Sequence, residues 1–201
     1  MSLMSLNGSP LEKAAVLIDN QYLLKIKTSL GLDEEDFRIG YKNLSDYLSN
    51  LIPSIRFRTY VYDAIRPMRE LKTEKEIESY NKQESFLNSL EDEPNFEVRL
   101  GLIQKNDHDV YRQKQVDVWM AVDIVRLSLK RIVDHLIIIT GDSDFIPAVK
   151  VAKEEGIKVH LWHAERKDTS KDLRRLCDTK GDLTKELLIS HAGYVKRNQQ
   201  T

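Results

Sequence analysis

Apolar positions along the chain take two forms: short unbroken runs, and longer stretches in which they recur every three or four residues. The fullest run is Leu136 to Ile139, inside HLIIITGDSDF (His135 to Phe145); it stops before Gly141, and two carboxylates, Asp142 and Asp144, follow one residue apart. A short β-branched run bounded in this way predicts a strand buried on both faces, the pattern of a parallel sheet's centre. Ala14 to Ile18 (AAVLI) is a second run of the same kind, and it too ends in a carboxylate, Asp19, followed by Asn20. Ile55 to Tyr62 alternates and then turns apolar, which predicts a strand with Asp63 in the loop after it; Phe96 to Ile103 and Ile157 to Trp162 predict two more strands.

Helical spacing fills the intervals. A helix is expected from about Tyr22 to Leu30, stopped by Gly31, with an acidic loop from Asp33 to Asp36 after it. Tyr41, Leu44, Leu48 and Leu51 share one helical face, and Pro53 ends it. Ile77, Tyr80, Leu87 and Leu90 mark a long charged surface helix over Leu71 to Leu90, and Val116 to Leu129 is mostly apolar and expected to pack tightly. Pro147 to Glu155, ended by Gly156, and a last helical segment around Leu173, Leu176 and Cys177, with Leu183 to Ile189 after it, complete the set. Strand and helix alternating in this way predict an α/β fold: a doubly wound, Rossmann-like parallel sheet of five strands with helices on both faces.

In such a sheet, chemistry sits outside the carboxyl ends of the strands where the strand order reverses. With the order three-two-one-four-five, strands one and four are neighbours and Asp19, Asp142 and Asp144 converge. A crossover helix starts at the edge where the preceding strand ended, so Asp117, at the amino end of the Val116 helix, joins them. Asp123 lies six residues later, about 9 Å farther along the helix and on a different azimuth, and is a weaker candidate that would stand behind the four. Four carboxylates at one edge repel one another unless a cation holds them, and an all-oxygen set favours Mg²⁺ or Mn²⁺, the ions of phosphodiester hydrolysis.

Composition narrows the partners. Lysine plus arginine (31) almost balances aspartate plus glutamate (32), so any polyanion must be held by a local patch. Lys105, Arg112 and Lys114, in a loop opening onto the same edge, are the candidates for a nucleic-acid backbone. The single cysteine, Cys177, excludes an internal disulfide and a Cys-rich zinc site, and its place in an apolar helical pattern makes it a packing residue. No apolar run reaches membrane-spanning length, so the expected setting is soluble and cytoplasmic, with no membrane partner; a homo-oligomer is compatible with the pattern. Asp142, Ser143 and Asp144 also suit plain helix capping, and Asp117 suits a helix-start charge. Asp19 caps nothing obvious. The five histidines show no ligand spacing.

AVLIDN (Ala15 to Asn20), KQVDVWMAVD (Lys114 to Asp123) and IITGDSDFIPAV (Ile138 to Val149), in that order and followed by EEGIKVHLW, resemble the NYN domain family of PIN-like, ribonuclease-type domains. The chain is most similar to the LabA-like (DUF88) branch. The resemblance covers about Lys13 to Asp178 and implies a flexible tail at 1–12, a domain at 13–178 and a C-terminal helical extension and tail at 179–201. It also implies Asp19, Asp117, Asp142 and Asp144 as the metal-binding acidic set, with Asn20, Thr140 and Ser143 as flanking polar positions. The expected function is a Mg²⁺- or Mn²⁺-dependent ribonuclease acting on single-stranded RNA. An RNA-binding or protein-interaction module without turnover is the alternative. A phosphatase of the haloacid dehalogenase type, which needs a second acid two residues after Asp19, meets Gln21 at that position.

Overall fold

β1 (Glu12–Asp19) is the middle strand of a seven-stranded sheet, paired in parallel on both sides, with β2 (Ser54–Ile65) and with β5 (His135–Ile139). The structure is a computed structural model that describes residues 12–33, 37–105, 111–164 and 169–193, with backbone alone at 104–105 and 111–114. Ala14 to Ile18 are all fully buried, and His135 to Ile139 nearly so. Each buried Val, Leu or Ile side chain there contributes roughly 1.5–3 kcal/mol, which is why these two runs take the sheet's centre.

Alternate residues of β1 face two separate cores. Ala14, Val16 and Ile18 pack with α1 (Asn20–Ser29), α2 (Tyr41–Asn50), α3 (Glu74–Glu91) and α7 (Lys185–His191). Ala15 and Leu17 pack with α4 (Val116–Leu129), α5 (Ile146–Glu154) and α6 (Lys171–Leu176). The expected strands are present in the expected order: β3 (Phe96–Lys105) lies beyond β2, and β6 (Lys158–His163) beyond β5. Two four-residue strands extend the sheet at its edges, β4 (Tyr111–Lys114) antiparallel to β3 and β7 (Thr179–Asp182) parallel to β6. Both are short and polar, so neither leaves an apolar signature. β7 also passes close under an aromatic ring: a Cβ on Gly181 would run into Trp162. No helix among the described residues is long and apolar enough to cross a membrane.

Two expectations need correction. β2 runs three residues past Tyr62, so Asp63 is a strand residue, 1% exposed, on the same face as Val61 rather than in a loop. α4 keeps its expected limits but buries only one side: Val116, Met120, Ile124 and Leu127 are in the core, whereas Val118, Trp119, Val122 and Leu129 are exposed.

A polar relay crosses the sheet from β1 to β7. His135 Nε2 lies 2.6 Å from Glu12 Oε2, His135 Nδ1 lies 2.9 Å from His160 Nε2, and His160 Nδ1 lies 2.7 Å from Thr179 Oγ1. Burial, with His135 beside it, pushes His160 from 6.5 down to about 4. Between those pH values the unfolded chain takes up a proton that the native fold refuses, so this contribution to stability is present above pH 6.5 and is lost as pH falls toward 4. The loss reaches up to about 3 kcal/mol. Urea denaturation of wild type and His160→Gln at pH 7 and pH 4.5 should show the variant losing less stability on acidification; equal losses would remove His160 as the cause.

Candidate active site

The turn from β1 into α1 sets the first group. Asp19 ends the buried strand with extended backbone (φ −69°, ψ 102°), and its carboxylate accepts the Tyr22 N–H at 3.0 Å, capping α1. One residue therefore ends a strand, starts a helix and faces the sheet edge. From α1 the side chains of Gln21, Tyr22 and Lys25 line the same cleft as Asp19, a space of about 430 Å³. Tyr22 is tied across the edge, its hydroxyl 2.8 Å from Thr169 Oγ1 and accepting the Ala164 N–H at 2.9 Å.

The second and third groups come from the other core. Gln115 takes a left-handed conformation (φ 76°) before α4, which brings Asp117 in the helix's first turn to the cleft. Thr140 and Gly141 follow β5 directly. The Asp142 N–H donates to Thr140 Oγ1 at 3.3 Å, the Asp142 carboxylate accepts the Asp144 N–H at 2.9 Å and caps a 3-10 turn (Ser143–Phe145), and Gly141 O accepts the Ser170 N–H at 2.9 Å. Gly141, Asp142, Ser143 and Ser170 complete the wall.

Charge is unbalanced there. Burial pushes the Asp19 carboxyl from 3.8 up to about 6, the Tyr22 N–H opposes the rise, and Asp117 and Asp142 add to it. Asp117 is raised too, by burial and then by Asp142 and Asp144. Lys25 pulls both back and supplies the cleft's cationic side chain. All donors are oxygens, the chemistry that suits a hard divalent cation. Among the described residues, however, no three His, Cys, Asp or Glu side chains are gathered closely enough to hold an ion.

Of the residues singled out by sequence, Asp19, Asp117, Asp142 and Ser143 line one cleft; Asp144 lies beside it, close enough to act on Asp117, and Thr140 sits buried beneath the Asp142 turn. Asn20 is buried behind the cleft, bonded to Asp63 and Tyr41. Asp123 does not join them. It is 2% exposed, accepts the Tyr62 hydroxyl at 3.0 Å, and is paired with Arg99 at 3.3 Å and Arg126 at 2.8 Å. Lys105, Arg112 and Lys114 belong to the β3–β4 pair rather than to a loop, with side chains outside the described residues, as is the whole of His108. Gln21, Tyr22, Lys25 and Ser170 are lining residues that apolar periodicity passes over. A signal existed for one pair: Gln21 and Lys25 are four apart on α1, so they share a helix face that starts at Asp19.

The NYN domain profile matches residues 13–183 of the chain. Uncharacterised protein y4oD of Sinorhizobium fredii is 30% identical over 107 residues, 51% of this chain and 48% of that protein. An uncharacterised protein of Methanocaldococcus jannaschii is 46% identical over 50 residues, 25% of this chain and 21% of that protein. The chain thus spans about half or less of the length of these curated relatives. A crystal structure of a protein of unknown function from Vibrio parahaemolyticus superposes with a TM-score of 0.58 at 20% identity, covering 92% of this chain and 98% of that one; the likeness is one of fold.

Because the Asp19 carboxyl sits near 6 in the fold against an ordinary 3.8, its contribution to stability is complete below about pH 4 and is lost as pH rises through 6. Its sign is opposite to that of His160. Asp19→Asn keeps an N-cap acceptor and removes the charge. In EDTA at pH 7.5 that variant should be more stable than wild type by on the order of 1–3 kcal/mol. A wild-type-like or lower denaturation midpoint would mean that burial and its like-charged neighbours do not penalise the Asp19 charge.

Proposed function

The chain belongs to the NYN domain family, and on that premise we propose that it is a metal-dependent ribonuclease hydrolysing phosphodiester bonds of single-stranded RNA at the cleft between β1 and β5. NYN domains are a nuclease group of PIN-like fold that typically uses divalent metals. Within the family, the order of its motifs favours the LabA-like branch. One observation carries the reading: carboxylates from three separate segments, Asp19, Asp117 and Asp142, line one cleft and burial and mutual repulsion raise the first two. Retaining that repulsion has no structural benefit unless a cation relieves it.

Asp19, Asp117 and Asp142 would hold Mg²⁺ or Mn²⁺, with Asp144 at the margin. Such an ion, when bound, acidifies water into a nucleophile and offsets charge on the phosphate. The remaining work falls to the chain. Asp19 is fixed by its cap bond, so it presents one carboxylate oxygen in a set direction. Lys25 faces the same space and can meet a non-bridging phosphate oxygen, while Ser143 and Ser170 offer hydroxyls. Lys105, Arg112 and Lys114 would guide the strand toward the edge. The open carboxylate geometry also favours a second reading, an RNA-binding module without turnover. Gln21, bonded to the Asp63 carboxylate, supplies no second acid for a phosphatase.

Labelled single-stranded RNA incubated with wild type in Mn²⁺ should be cleaved, whereas EDTA or Asp142→Asn should reduce the rate by at least about 100-fold, the scale of removing a group that stabilises transition-state charge. Cleavage persisting equally in Asp142→Asn would sink the proposal; metal-dependent binding without cleavage would favour the module. Independently of turnover, millimolar Mn²⁺ should raise the wild-type melting temperature, since a ligand bound by the native state alone stabilises it.

A further inference from the structure

Three side-chain amides and one backbone N–H converge on a single buried carboxylate behind the cleft. Asp63 Oδ2 accepts Asn20 Nδ2 at 2.9 Å and Gln83 Nε2 at 3.3 Å; its Oδ1 accepts Gln21 Nε2 at 3.2 Å and the Ala64 N–H at 2.8 Å. An ionised carboxylate only accepts, so each amide must turn its nitrogen toward Asp63 and its oxygen away. Asn20 is held at both ends, because the Tyr41 hydroxyl donates to Asn20 Oδ1. Gln21 is held at its nitrogen, and among the described residues nothing donates to its Oε1. Gln21 lines the carboxylate cleft and also an adjoining groove of about 390 Å³ along α1, shared with Leu24, Lys25 and Thr28.

We infer that Gln21 distinguishes RNA from DNA at this site: its Oε1, oriented by Asp63, accepts a hydrogen bond from a ribose 2′-hydroxyl next to the scissile phosphate. The inference rests on the nuclease reading above. A polynucleotide backbone presents acceptors at every phosphate and ring oxygen, and its one donor is the 2′-hydroxyl, which DNA lacks. A carbonyl fixed in a wall of carboxylates finds no backbone partner on a deoxyribose strand and meets phosphate oxygens with its lone pairs. Lys25, one turn along α1 and lining both spaces, matches the phosphate beside that sugar. Asp63 is the positioning residue: it touches no substrate and acts by removing the flipped amide, which would present N–H groups instead.

Binding of RNA, DNA and 2′-O-methyl RNA of one sequence is measured by fluorescence anisotropy in Ca²⁺, which replaces Mn²⁺ to suppress turnover. Wild type should prefer RNA and bind the 2′-O-methyl strand as it binds DNA, since the methyl group removes the donor and keeps the oxygen. In Gln21→Ala the ratio of Kd for DNA to Kd for RNA should fall by roughly 3- to 10-fold, the range one neutral hydrogen bond carries. Asp63→Asn, which turns an N–H₂ toward the surrounding amides, should lower the ratio in the same direction; if it does not fold, Gln21→Ala decides alone. An unchanged ratio in Gln21→Ala overturns the inference and leaves the nuclease reading intact. Failure of wild type to bind or cleave any single strand overturns both.

Discussion

The parallel pairing of β1 with β5, Ala14 to Ile18 against His135 to Ile139, is the contact on which the rest of the structure depends. These strands lie 121 residues apart at their first paired positions, Ala14 and His135, so neither can be buried on both faces until the intervening helices have gone to opposite sides of the sheet. The chain winds outward from β1 through β2 and β3 with α1, α2 and α3 on one face, then returns through α4 to β5 and continues with α5 and α6 on the other. Reversal of winding beside β1 leaves a gap at the carboxyl edge where no helix crosses. Asp19, Asp117 and Asp142 stand around that gap because the topology leaves their segments nowhere else to begin or end.

Three buried or half-buried aspartates show how partners, rather than position, decide what a carboxylate does. Asp123 is balanced by two guanidinium groups and a tyrosine hydroxyl and ties α4 to β2 and β3. Asp63 accepts four neutral N–H donors, so it orders the amides around it. Asp19 is buried with one N–H donor, and burial, with two like charges adding to it, raises its carboxyl to about 6. Only the last arrangement has an unmet demand for positive charge, and demand of that kind identifies a site of chemistry better than a count of acidic residues.

Most of the fold was legible because its central strands are unbroken apolar runs, and runs such as AAVLI and HLIII leave no competing periodicity. The edge strands were not legible, since YRQK and TKGD are polar and are strands through backbone pairing alone. Asp63 was misread for a related reason: a charge normally ends a strand, and here the Ala64 N–H and the amides of Asn20, Gln21 and Gln83, from α1 and α3, make it tolerable inside one. The three aspartates that line the cleft followed from topology, whereas Gln21, Lys25 and Ser170 did not, because a polar residue on a surface helix looks alike whether it faces solvent or a cleft.

The turn after β1 concentrates these demands in three consecutive residues. Asp19 caps α1 and faces the cleft, Asn20 locks the turn to Asp63 and Tyr41, and Gln21 joins the same lock while lining the cleft. A repelled carboxylate would ordinarily swing toward solvent, yet Asp19 cannot do so without giving up its cap, and the backbone beneath it is held by Asn20 in a buried network. The Asp63 network thereby supplies the restraint that keeps an unfavourable charge in place. On the nuclease reading, the same network sets both the direction of the metal-binding carboxylate and the face of the amide beside it, so affinity for the ion and selectivity for the sugar share one buried support.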